Sequence, residues 1–120
     1  MLISEGADLD FVCAKSRLTP LLVASLSGLD TVAVRLVAAG AKLDLVDVSG
    51  FSSLIRACLL KRTATAILLI EAGAAINLVA ADGFAALDWA FTQGLASVTA
   101  ALLVRGGLTG AELARRAAAV

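Results

Sequence analysis

Apolar residues recur along this chain at helical spacing, as in Leu21 and Ala24 followed by Val32, Ala33, Leu36 and Val37. That spacing predicts pairs of short helices rather than strands, whose apolar positions alternate. The first helix is expected from Thr19-Pro20, where a Thr hydroxyl accepts from free backbone N–H groups and Pro fits the opening turn without losing a needed donor. Gly28 should end it, because glycine takes the left-handed conformation freely. A second helix is expected from about Asp30, an acidic side chain suited to a positive helix end, to Gly40. After it, the Ser49-Gly50 pair favours a tight turn, and the segment from Ala41 to Phe51 reads as a projecting finger.

The plan then repeats. Gly6-Ala7, Gly40-Ala41 and Gly73-Ala74, followed by Gly106-Gly107, stand 34, 33 and 33 residues apart. Leu21, Leu54 and Leu87 keep the step of 33, as do Ala24, Ala57 and Ala90, and Leu36, Leu69 and Leu102. Leu18, Phe51 and Phe84 form a further series, and Gly50 with Gly83 another in which Arg17 takes the first place. Several phases at one fixed period mean stacked units, each burying a face its neighbour cannot bury alone.

The motifs inside each unit resemble the ankyrin repeat family. Leu18-Thr19-Pro20-Leu21-Leu22-Val23-Ala24 is similar to its T-P-L-H-x-A signature, with Leu22 in the histidine's place. Gly50-Phe51-Ser52-Ser53-Leu54-Ile55-Arg56-Ala57 and Gly83-Phe84-Ala85-Ala86-Leu87-Asp88-Trp89-Ala90 are the second and third copies. The resemblance implies an all-α, helix-turn-helix solenoid of about three full repeats within a single domain. Its expected divisions are a partial repeat over 1–12, repeats over 13–46, 47–79 and 80–108, and a C-terminal capping helix over 109–120.

Departures from the pattern carry expectations of their own. Arg17 stands where a turn glycine belongs, and Lys61 where glycine should end a helix; positive φ at either costs about 1–2 kcal/mol. The histidine's bracing place holds Leu22, Ile55 and Asp88, of which Asp88 alone can substitute a hydrogen bond. Leu2 to Asp10 reads as the tail of a unit, so the chain is expected to begin in mid-repeat. Thr109-Gly110-Ala111-Glu112 forms a T-x-x-E capping box that predicts a last helix from about Gly110 to Ala118.

Composition narrows the function. Apolar residues make up 60% of the 120, which excludes a disordered chain. Ten basic and ten acidic side chains leave net charge zero, so no nucleic-acid partner is expected. Without histidine there is no Ser-His-Asp or Cys-His dyad and no imidazole metal site. The longest charge-free run, Trp89 to Val104, is 16 residues and includes Thr92, Gln93 and Gly94, too short and polar for a membrane span. Glu5, Asp8 and Asp10 oppose a secretory signal. Cys13 and Cys58, 45 positions apart, fit neither a metal nor a redox pair; free thiols lean toward a reducing, cytoplasmic setting.

No nucleotide-binding, hydrolase or paired-cysteine motif is present, and Asp44, Asp47, Asp8 and Asp10 sit in expected fingers as solvated charges. Accordingly no catalytic residue, cofactor or metal is assigned, and an enzyme is not expected. The family resemblance instead implies a concave face that binds another protein through fingers and inner helices. It places Lys15, Ser16 and Leu18 on the first finger, Val48, Ser49 and Phe51 on the second, and Ala81, Asp82 and Phe84 on the third. Leu26, Ser27, Leu59, Leu60, Thr92 and Gln93 take the inner-helix places. Phe51, Leu59, Leu60 and Phe84 are apolar where solvent is expected, which marks a contact patch. Two readings stay open for Phe51 and Phe84, which either contact a partner or stack on each other to shield the finger bases. Trp89 reads as a packing residue, and Lys61-Arg62 and Arg115-Arg116 as solvated charges. The competing reading is a structural spacer or piece of a longer array, with self-association through an uncapped N-terminal face.

Overall fold

A computed structural model describes residues 17–118. Seven helices run through them: α1 (Pro20–Ser27), α2 (Asp30–Ala38), α3 (Ser53–Leu59), α4 (Thr63–Glu71), α5 (Ala86–Thr92), α6 (Ala96–Val104) and α7 (Gly110–Ala118). The first six form three hairpins, α1 with α2, α3 with α4, and α5 with α6. They align in two rows, an inner one of α1, α3 and α5 and an outer one of α2, α4 and α6. This all-helical stack is the architecture that the 33-residue period implies.

Local chemistry sets the ends. The Thr19 hydroxyl accepts from Leu22 N–H at 3.2 Å and Pro20 opens α1, while Gly28 closes it at φ 69°. The Ser52 hydroxyl repeats that cap on Ile55 N–H at 3.2 Å. Ala85 has no hydroxyl, and there the Asp88 carboxylate accepts from Ala85 N–H at 2.8 Å instead. Asp88 thus braces its turn from the histidine's place. The α2 helix stops at Ala38, two residues short of Gly40, because Gly40 is already left-handed at φ 93°. Arg17 and Lys61 do adopt positive φ, 57° and 61°. In the fingers, Gly50 N–H donates to the Asp47 carbonyl and Gly83 N–H to the Ala80 carbonyl, both at 2.9 Å.

Leu21, Leu54 and Leu87 are buried in the inner row, and Leu36, Leu69 and Leu102 in the outer row. Cys58 is buried on α3 as a free thiol, and desolvation pushes its pKa from 9.0 to about 12; Cys13 lies outside the described residues. Polar stitches follow the same register. Asp44 accepts from Ala75 N–H at 2.8 Å, and Asn77, one repeat on, accepts from Leu108 N–H at 2.9 Å. Arg62 donates to the Leu26 carbonyl and Arg105 to the Ile70 carbonyl, each at 3.1 Å. Arg62 is therefore a half-buried clamp rather than the solvated charge that its pairing with Lys61 suggests.

The α7 helix starts on its capping box: Thr109 N–H donates to Glu112 and Glu112 N–H to the Thr109 hydroxyl, both at 3.2 Å. The Thr109 N–H and the Thr109 hydroxyl, both donating to the carboxylate, hold the Glu112 carboxyl below its ordinary range. Its first turn is seated by Gly110 N–H, which donates to Asp88 at 2.6 Å. Glycine is required there, since a methyl group would collide with the Gly83 carbonyl oxygen. The helix-on-helix packing that joins each hairpin to the next is not repeated between α7 and the third hairpin. Phe91 and Leu103 stay 56% and 52% exposed on that flank.

Candidate functional site

The step of 33 carries each concave position from one hairpin to the next. Leu18, Phe51 and Phe84 stand at the finger bases, where Leu18 and Phe51 are half-buried and Phe84 is exposed. Val23, Arg56 and Trp89 stand on the inner helices two residues past the buried leucines, and Arg56 and Trp89 meet the rings of Phe51 and Phe84. Leu26, Leu59 and Thr92 form a further column, and Ser27, Leu60 and Gln93 border it. Lys15 and Ser16 lie outside the described residues, as do Asp8 and Asp10.

On the second finger Val48 and Ser49 are exposed at the tip. Asp47 is not solvated. It is buried, accepts from Ser49 N–H at 2.9 Å and Phe51 N–H at 3.1 Å, and pairs with Arg56 at 2.6 Å. A carboxylate that satisfies two turn N–H groups and a guanidinium is stable away from water, whereas an unpaired one is not. Arg56, so held, lies 4.2 Å from the centre of the Phe51 ring. The pair fixes the finger base against α3 through a cation–π contact.

On the third finger Ala81 and Asp82 are exposed, and Asp82 accepts from Phe84 N–H at 2.9 Å. Phe84 does not stack on Phe51. Its ring meets Trp89 edge to face, with centroids 5.7 Å apart and planes at 74°, a geometry that suits the aromatic quadrupole. Phe84, Asp88, Trp89 and Thr92 together line a recess of about 190 Å³. Trp89 packs half-buried against the core, and its indole N–H has no hydrogen-bond partner.

Farther along the inner row, Leu60 is 38% exposed and Leu59 half-buried. Gln93 spends its amide on the structure, donating to the Leu59 carbonyl at 2.8 Å. Thr92 is exposed, with its hydroxyl donating to the Asp88 carbonyl at 2.9 Å. The face therefore presents apolar surface at Val23, Leu60 and Phe84, with Val48 at a finger tip. Arg56 and Val23 were absent from the sequence-derived set. The signal that finds them is the step of 33 from Trp89, together with their place two residues beyond Leu54 and Leu21.

Among the described residues no helix is long and apolar enough to cross a membrane, and no group of three His, Cys, Asp or Glu side chains could hold a metal ion. No family model matches the chain, and no curated protein matches it. The structure is similar to the crystal structure of an ankyrin repeat domain from Acinetobacter baumannii AYE. The two share 31% sequence identity with a TM-score of 0.79 over 86% of this chain. The chain spans 55% of that neighbour's length.

Proposed function

Because this chain is a member of the ankyrin repeat family, whose fold is generally a protein–protein interaction module, we propose that it binds a partner protein along its concave face. The observation that carries this reading is the apolar surface at Leu60 and Phe84, 38% and 47% exposed on elements that the stack itself does not need to cover. Lys15, Ser16, Leu18, Val48, Ser49, Phe51, Asp82 and Phe84 contribute from the fingers, and Leu26, Leu59, Leu60, Thr92 and Gln93 from the inner helices. Repeats over 13–46, 47–79 and 80–108 supply the face, flanked by the partial unit 1–12 and the helix within 109–120. Neither a nucleic acid nor a cofactor has a part in it. The test is capture of partner by the intact chain against a Phe51→Ser, Leu60→Ser, Phe84→Ser variant. Capture should fall roughly tenfold or more, as expected when apolar anchors are removed; a partner retained through all three changes refutes the concave site.

A second reading is favoured by one observation, the open flank of the third hairpin at Phe91 and Leu103. In this reading the chain mainly supports another repeat or a second copy of itself. Light scattering separates the two, since the recognition module stays monomeric, whereas stacking gives concentration-dependent dimers abolished by Leu103→Glu.

A further inference from the structure

Resting on the concave-face reading, we infer that the recess beside Trp89 is the seat of an arginine side chain presented by the partner. The second hairpin holds the filled version of this arrangement within the chain itself. There the Arg56 guanidinium lies 4.2 Å from the Phe51 ring centre and 2.6 Å from the Asp47 carboxylate. One step of 33 onward, Phe84 retains the ring, Trp89 takes the place of Arg56, and Ala80 takes the place of Asp47. The carboxylate returns one residue before Trp89, as Asp88. The third hairpin thus keeps an aromatic wall and an anion, adds a second ring, and lacks the cation.

Geometry and charge agree. Phe84, Asp88, Trp89 and Thr92 line a recess of about 190 Å³. Asp88, one of the lining residues, accepts at Oδ2 from two backbone donors, Ala85 N–H at 2.8 Å and Gly110 N–H at 2.6 Å, which hold its carboxylate in place. Among the described residues no basic side chain pairs with Asp88, whereas Arg56 pairs with Asp47. Residues 72–104 contain two acids, Asp82 and Asp88, and neither lysine nor arginine. A cation brought to this hairpin meets attraction and no repulsion from its own side chains. A guanidinium suits the place better than an ammonium, being planar, weakly hydrated and able to stack on a ring while donating to a carboxylate. The partner is thus a protein segment with an exposed arginine, flanked by apolar residues that lie over Leu59 and Leu60.

Trp89 is the single tryptophan of the chain, so its fluorescence and its indole N–H resonance report on this site alone. The probe is a blocked Leu-Arg-Leu tripeptide, titrated against the same peptide with neutral citrulline in place of arginine. The arginine peptide should shift both Trp89 signals saturably, and the citrulline peptide should bind roughly tenfold more weakly. Asp88→Asn keeps an oxygen for the Ala85 and Gly110 N–H groups while removing the charge, and should weaken the arginine peptide by a similar factor. Should that change unseat α7, Phe84→Leu leaves the carboxylate and its bonds in place and should weaken the peptide several-fold. Equal responses to arginine and citrulline, or no response to either, overturn the arginine seat. Such a failure beside lost capture by the triple serine variant removes the seat alone; retained capture removes the concave-face reading itself.

Discussion

At equivalent positions, the second hairpin buries Cys58 and Ile70 to 0% and 1% exposure, while the third leaves Phe91 and Leu103 56% and 52% exposed. The helices are alike in length and register, with α3 and α5 of 7 residues and α4 and α6 of 9. What differs is the cover, since α5 and α6 pack on the second hairpin and no helix packs in the same way on the third. Burial in a stack of repeats is therefore supplied by the neighbour, and one apolar pattern gives core in one unit and surface in the next. The concave face shows the same divergence in polar form, because Arg56 is closed by Asp47 whereas Asp88 stands beside two rings without a cation.

Substitutions at matched positions turn this comparison into measurements. The largest contrast is expected between Ile70→Ala and Leu103→Ala. Loss of a fully buried side chain should cost about 2–4 kcal/mol, and loss of a half-exposed one under about 1 kcal/mol, in urea unfolding. Equal costs would mean that the third flank is covered after all.

Next is the pH dependence of Cys58. Its pKa is raised by burial from 9.0 to about 12, so the folded chain keeps a proton that the unfolded chain releases. Its contribution is fully present below pH 9 and declines from there to about pH 12, with a slope approaching about 1.4 kcal/mol per pH unit. Cys58→Ala should flatten the stability profile across that window, and an unchanged slope would place the thiol in water.

A smaller effect separates the two finger acids. Asp47→Asn breaks a buried ion pair and should cost about 1–3 kcal/mol, because it leaves Arg56 without its anion. Asp82→Asn, on an exposed residue, should stay within about 0.5 kcal/mol. The smallest change expected is a gain. Lys61 is left-handed at φ 61° where the third hairpin has Gly94 at φ 69°, so Lys61→Gly should stabilise by about 0.5–1 kcal/mol in thermal unfolding.

Much of this molecule is legible from residue spacing alone. Thr19, Pro20 and Gly28 mark both ends of α1 because caps act locally, and the Thr109–Glu112 box marks α7 for the same reason. The period of 33 conveys the stacking, since only a shared interface makes several apolar series keep one step. Long-range polar pairing is harder to read. Asp47 looks like any acid of a turn until Arg56, nine residues away, is brought against it by the hairpin. Arg62 finds the Leu26 carbonyl only across a repeat boundary. Phe91 carries a signal of its own: a large ring stands where the earlier units bury the small side chains of Ser25 and Cys58. The pairing of Phe84 with Trp89 rather than Phe51 likewise depends on finger geometry that spacing does not encode.

Under the proposed function, recognition belongs to the fingers and inner helices and not to the outer row. Amide hydrogen exchange of the chain in complex with its captured partner addresses it residue by residue. Added protection is expected over residues 48–60 and 82–93, with α2, α4 and α6 exchanging as in the free chain. Protection centred on α6 around Leu103, with the fingers unchanged, would move recognition to the outer row and overturn the concave-face reading.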